Sequence, residues 1–170
     1  MTFAKAVRKS VPLLISIAGT SGSGKTYSAL LMAAGLAGPK GRVGFLDTEN
    51  GRGSMYADSP GIIEALPAGY EIMELDAPFT PQRYTEAIEA AEKSGINVLV
   101  VDSATHEWEG IGGCAEMAEN NKLGGQPNWA MAKRAHKRFV NRALASSMHI
   151  IFCLRARDKV KMVKVQEEAQ

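Results

Sequence analysis

Gly19-Thr20-Ser21-Gly22-Ser23-Gly24-Lys25-Thr26 satisfies the pattern G-x-x-x-x-G-K-[ST] at every defined position. Before it, Leu13-Leu14-Ile15-Ser16-Ile17 is apolar and suited to a strand; after it, Tyr27-Ser28-Ala29-Leu30-Leu31-Met32-Ala33-Ala34 is a good helix former. Strand, loop and helix in that order are the context in which this spelling makes a phosphate-binding loop. Successive backbone N–H groups must curl around phosphate oxygens, and Gly19, Gly22 and Gly24 allow the necessary backbone angles and close approach. Thr20, Ser21 and Ser23 complete the loop, and the helix opening at Lys25 adds its positive end to the same anion site. The pattern assigns Lys25 to the β- and γ-phosphates and the Thr26 hydroxyl to Mg²⁺, so ATP and Mg²⁺ are the expected ligands. The bland alternative, a Gly/Ser linker that happens to contain a lysine, leaves the flanking strand and helix unexplained.

A chain of 170 residues with 45% apolar residues suits one α/β domain with a two-sided core. A net charge of +2 makes any affinity for nucleic acid a matter of where the cations lie. Cys114 and Cys153 have no second Cys or His at metal-ligand spacing, and His106, His136 and His149 are scattered. Two plain thiols and three ordinary imidazoles are expected, without a zinc site. No stretch near Met1 reads as a signal peptide and no apolar run approaches the roughly 20 residues of a membrane span. A soluble, cytoplasmic protein is the expectation.

Residues 1–12, with Lys5, Arg8 and Lys9, read as an N-terminal arm. Arg42-Val43-Gly44-Phe45-Leu46-Asp47 reads as the second strand, and Asp47, Glu49 and Arg52 follow at the end where open α/β sheets bind ligands. Residues 54–70 read as irregular. Glu71-Ile72-Met73-Glu74-Leu75 alternates as a half-exposed strand near a sheet edge does. Thr80-Pro81 opens an amphipathic helix, with Tyr84, Ala87, Ile88 and Ala91 on its apolar stripe up to Gly95. Asn97-Val98-Leu99-Val100-Val101-Asp102 has the form of a buried parallel strand ending in a carboxylate, a Walker B strand whose Asp102 would join Thr26 around Mg²⁺. Residues 106–125 read as a long, partly helical, mobile connection. A helix follows from about Pro127 to Ala145, with Trp129, Ala132, Phe139, Ala143 and Leu144 on its apolar side and Lys133, Arg134, Lys137, Arg138 and Arg142 on another. Met148 to Leu154 is the fifth strand. Beyond it Arg155, Arg157, Lys159 and Lys161 would share one face of an extended chain, and 161–170 form a tail.

The assembled order resembles the core of RecA-type ATPases over roughly residues 13–160. The segments Phe45 to Asp58 and Val100 to Gly110 are similar to the small phage-encoded RecA-like ATPases associated with single-strand annealing and recombination. That resemblance implies a mainly parallel five-strand sheet of order 3-2-4-5-1 with helices on both faces. It implies Mg²⁺-dependent ATP hydrolysis coupled to single-stranded DNA in the host cytoplasm, with a homo-oligomer or filament and other recombination proteins as partners. Glu49 matches the place of the carboxylate that activates water, and Ser103 stands where many related ATPases carry a glutamate, leaving Glu107 and Glu109 as alternatives. Arg155 occupies the place of a γ-phosphate sensor, where RecA has an amide, and leads into the region of the DNA-contacting loop. Two other functions share the phosphate loop: a small-molecule kinase, and a slowly hydrolysing nucleotide-gated interaction module.

Overall fold

The structure, a computed structural model, describes residues 3–7 and 11–156. Five strands, β1 (Leu14–Gly19), β2 (Val43–Asp47), β3 (Glu71–Glu74), β4 (Val98–Asp102) and β5 (His149–Arg155), form one all-parallel sheet. Its order is β1-β5-β4-β2-β3, which is the expected 3-2-4-5-1 read from the other edge. Among the described residues six α-helices surround it: α1 (Lys25–Ala37), α2 (Pro60–Ala65), α3 (Pro81–Lys93), α4 (His106–Glu109), α5 (Cys114–Asn120) and α6 (Trp129–Leu144).

The strand sequences divide the core between two faces because side chains alternate along a strand. Val98 and Val100 of β4, Ile151 and Cys153 of β5, and Val43 and Phe45 of β2 pack with Ala29, Leu30 and Ala33 of α1 and Ile62 of α2. Leu99, Val101, Ile150, Phe152 and Leu46 point the other way, onto Tyr84, Ala87, Ile88 and Ala91 of α3 and Phe139 and Ala143 of α6. Every residue of β2 and β4 is buried, as near-continuous apolar runs covered on both faces require. The stripe expected on α3 is buried throughout, and the Thr80 hydroxyl accepts from the Arg83 N–H to cap that helix.

Several boundaries and exposures depart from the sequence reading. All four residues of the edge strand β3 are exposed, since only β2 covers one of its sides. Residues 54–70, read as irregular, hold the end of the 3-10 turn Arg52–Tyr56 and all of α2, which Ser59 and Pro60 begin. On α6, Ala132, Phe139 and Ala143 are buried, while Trp129 and Leu144 at its ends are 40% and 65% exposed. Among the described residues, no helix is long and apolar enough to cross a membrane.

Candidate nucleotide site

The parallel sheet brings the ends of β1, β2, β4 and β5 to one edge, and the cleft there collects residues far apart in sequence. Ser21, Gly22, Gly24, Lys25 and Thr26 form one wall; Glu49, Arg52, Tyr56, Asp102 and Arg155 form the others. Gly22 and Gly24 have φ of 76° and 81°, the left-handed region that disfavours a side chain, and a Cβ on either would meet open space. Gly24 is also the N-cap of α1: no side chain caps that helix and its first turn carries no acidic residue. The positive end of a 13-residue helix is thus left facing the loop. The Lys25 ammonium donates to the Thr20 carbonyl at 2.7 Å, folded back along the loop that it would serve.

At the tip of β4, the Thr26 hydroxyl donates to Asp102 Oδ2 at 2.5 Å. Asp102 is 7% exposed. Burial raises its pKa, and the carboxylates of Glu49 and Asp47 push the same way, against the Thr26 hydrogen bond and the Lys25 charge. A hydroxyl and a carboxylate are hard oxygen donors, a donor set that fits Mg²⁺. The open glycine loop, the uncapped helix end and Lys25 fit a polyphosphate.

Glu49, just beyond β2, faces the same cleft. Its Oε1 accepts from Arg155 Nε at 3.0 Å and from an Arg155 terminal nitrogen at 2.5 Å, and its Oε2 accepts from Arg52 at 2.9 Å. Burial would raise the Glu49 pKa, but the two guanidiniums outweigh it and hold the carboxyl below its ordinary value. Arg155 is fixed by its backbone, whose N–H donates to Thr105 Oγ1 at 2.8 Å. Neither Glu107 nor Glu109 lines this cleft. Arg157, Lys159 and Lys161 lie outside the described residues.

Asp47 turns inward and organises the loop that carries Glu49: its carboxylate accepts from the N–H groups of Glu49 and Gly53, both at 2.7 Å. Gly53 is needed there, because a Cβ would lie 2.4 Å from the Phe45 ring. The sequence reading passed over Thr48, which is 3% exposed. Its hydroxyl accepts from the Ser103 N–H at 2.8 Å and lies 2.8 Å from His106 Nδ1. Ser103 is buried with its carbonyl accepting from Tyr84 Oη at 3.0 Å, so the position after Asp102 ties β4 to its neighbours and does not face the cleft. Only the strand-end position of Thr48 hinted at this.

The expected separation of the cysteines and histidines also needs correction. The fold brings Glu107, Cys114 and His136 together, with one donor atom of each within 4.8 Å of the others. Burial and the neighbouring Glu107 raise the Cys114 thiol to about 12, so it is no nucleophile, and His136 bonds to Glu107.

Comparison with known proteins agrees with this geometry. An AAA domain family model matches residues 12–168 of the sequence. No curated protein matches the chain. The family is of the P-loop ATPase type, which implies nucleotide binding and, as a rule, Mg²⁺. With a phosphate loop, a Walker B strand and a family match over nearly its whole length, the chain belongs to the AAA domain family.

Proposed function

We propose that the protein hydrolyses ATP with Mg²⁺ and couples turnover to single-stranded DNA, as a phage-type recombination or annealing ATPase. The observation that carries the hydrolytic half is the convergence of Lys25, Thr26, Asp102, Glu49 and Arg155 on one cleft. Mg²⁺, when bound, neutralises phosphate charge, and Thr26 and Asp102 are the residues that would hold it. Lys25 leaves the Thr20 carbonyl for the β- and γ-phosphates, while the loop N–H groups and the α1 terminus stabilise charge that develops on the transferred group. Glu49 orients the attacking water in line with the γ-phosphate and accepts its proton.

Both oxygens of Glu49 accept from arginines, Arg155 on one and Arg52 on the other. A γ-phosphate offers Arg155 and Arg52 a more highly charged partner, and their transfer to it frees Glu49 for water. Release of Glu49 is thereby linked to nucleotide binding.

The DNA half rests on the resemblance of the 45–58 and 100–110 segments to small phage RecA-like ATPases and on the cations that follow Arg155 in sequence. Phosphate release measured with and without single-stranded DNA tests the coupling. Stimulation of several-fold or more supports it. Slow, unstimulated hydrolysis would favour the nucleotide-gated interaction module, and transfer of phosphate to a small acceptor in place of water would favour a kinase.

A further inference from the structure

Away from the nucleotide cleft, α4, α5 and α6 meet around three donor side chains that the ATPase chemistry does not use. We propose that Glu107, Cys114 and His136 form a binding site for a zinc-class divalent cation, which staples the α4–α5 segment to α6.

The geometry is that of a cluster built around one buried carboxylate. Glu107 is 1% exposed and Cys114 fully buried. Cys114 Sγ lies 3.3 Å from Glu107 Oε1, and His136 Nδ1 lies 2.8 Å from Glu107 Oε2. Donor atoms about 2.0 to 2.3 Å from a tetrahedral zinc ion lie roughly 3.3 to 3.8 Å from one another. The three donor atoms, within 4.8 Å of one another, exceed that spacing by about 1 Å at most. The His136 side chain is 39% exposed, which leaves the cluster an entry path.

Charge and softness select the cation. A carboxylate, a thiolate and a neutral imidazole sum to −2, so a divalent ion makes the buried group neutral overall. Sulfur and nitrogen donors favour zinc over Mg²⁺ or Ca²⁺, which take oxygen. On binding, the Cys114 thiol proton goes to solvent and the imidazole carries its remaining proton on Nε2. Three protein ligands leave a fourth position for water. The walls are preformed: Trp108 stacks on Trp129 at 6.5 Å and meets the His136 ring edge-on at 5.2 Å, holding the imidazole toward the carboxylate. A catalytic-cysteine reading fails, because Glu107 stands between the thiol and the imidazole.

The test is Co²⁺ titration of the full chain after chelator treatment, in the presence of Mg²⁺ to occupy the Thr26–Asp102 site. One Co²⁺ per chain with a thiolate-to-cobalt charge-transfer band is expected, with the band abolished in Cys114→Ser. Affinity should fall at least about tenfold in His136→Gln, whose half-exposed position makes misfolding a poor explanation. Zn²⁺ should raise the melting midpoint of the parent and not of Cys114→Ser. No charge-transfer band in the parent, or a band that survives in Cys114→Ser, overturns the proposal. This outcome is independent of ATP hydrolysis.

Discussion

The proposed role of Glu49 and its contacts conflict: a general base needs a free oxygen, and both oxygens of this carboxylate accept from Arg155 and Arg52. Glu49→Gln keeps the shape and removes the basicity, so ATP binding should persist while hydrolysis slows by about 10² to 10⁴. Single-turnover phosphate release checks this, and an unchanged rate would remove Glu49 from the chemistry. A second carboxylate, Glu92, shows ion pairing used for structure. Burial would raise its pKa, but Arg142, the Ser146 hydroxyl and the Ser147 N–H bring it down to about 2. A depressed carboxylate stabilises the fold above its unfolded pKa, near 4.5, and that contribution disappears as pH falls toward 2. Because the Glu92 side chain keeps 21% of its exposure, solvent screening cuts the contribution to about 1–2 kcal/mol. Glu92→Gln should therefore lie below the parent in urea denaturation at pH 7, with the gap narrowing between pH 4.5 and pH 3. A gap independent of pH across that range would contradict the assignment.

Among the elements, α3 does more than cover the sheet. Tyr84 is fully buried on its apolar stripe, yet its hydroxyl reaches the Ser103 carbonyl at the end of β4. Tyr84→Phe should cost about 0.5–1.5 kcal/mol, at the lower end of what a buried acceptor loses, because the Thr48 hydroxyl remains 3.2 Å from that same carbonyl. Denaturant unfolding measures it, and a loss above 3 kcal/mol would show that Ser103 depends on Tyr84 alone. The stripe itself was legible in the sequence because helical spacing and burial coincide there. So were β2 and β4, whose apolar runs have no use outside a buried parallel sheet, and the phosphate loop, whose glycines and lysine are specified by local backbone chemistry. Thr48 and Ser103 were not legible as a pair: their bond joins the ends of two strands separated by 55 residues, and threonine or serine at a strand end is unremarkable. Glu107, Cys114 and His136 escaped for the same reason, since each sits on a different helix and the rest of α5 and a Gly-containing turn intervene before α6 brings His136 to the others. The position of Arg155 at the end of the last strand is legible, but its ion pair with Glu49 arises from the β1-β5-β4-β2 neighbourhood and needs the folded sheet.

For the molecule as a whole, the arrangement of one sheet edge sets what can be coupled to what. β5 lies between β1 and β4, so Arg155 at its end shares the cleft with both the phosphate loop and Asp102. The Ala156 N–H donates to the Gly19 carbonyl at 3.0 Å, tying the start of that segment to the loop itself. Nucleotide that moves Arg155 away from Glu49 would therefore act on the chain entering Arg157, Lys159 and Lys161. If those cations neutralise phosphates of single-stranded DNA, affinity should fall with salt at a log-log slope of about −0.7 per phosphate contacted. Lys159→Ala with Lys161→Ala removes two such contacts, so the slope should become shallower by roughly 1 to 1.5, with binding weakened for every sequence alike. ATP affinity should be unchanged, because neither lysine belongs to the phosphate-loop motif or to the strand that ends in Asp102. Titration of labelled single-stranded DNA at several salt concentrations decides between the two uses of this basic run: a shallower slope assigns it to DNA, and an unchanged slope leaves its cations as a solvated face with the polynucleotide bound elsewhere.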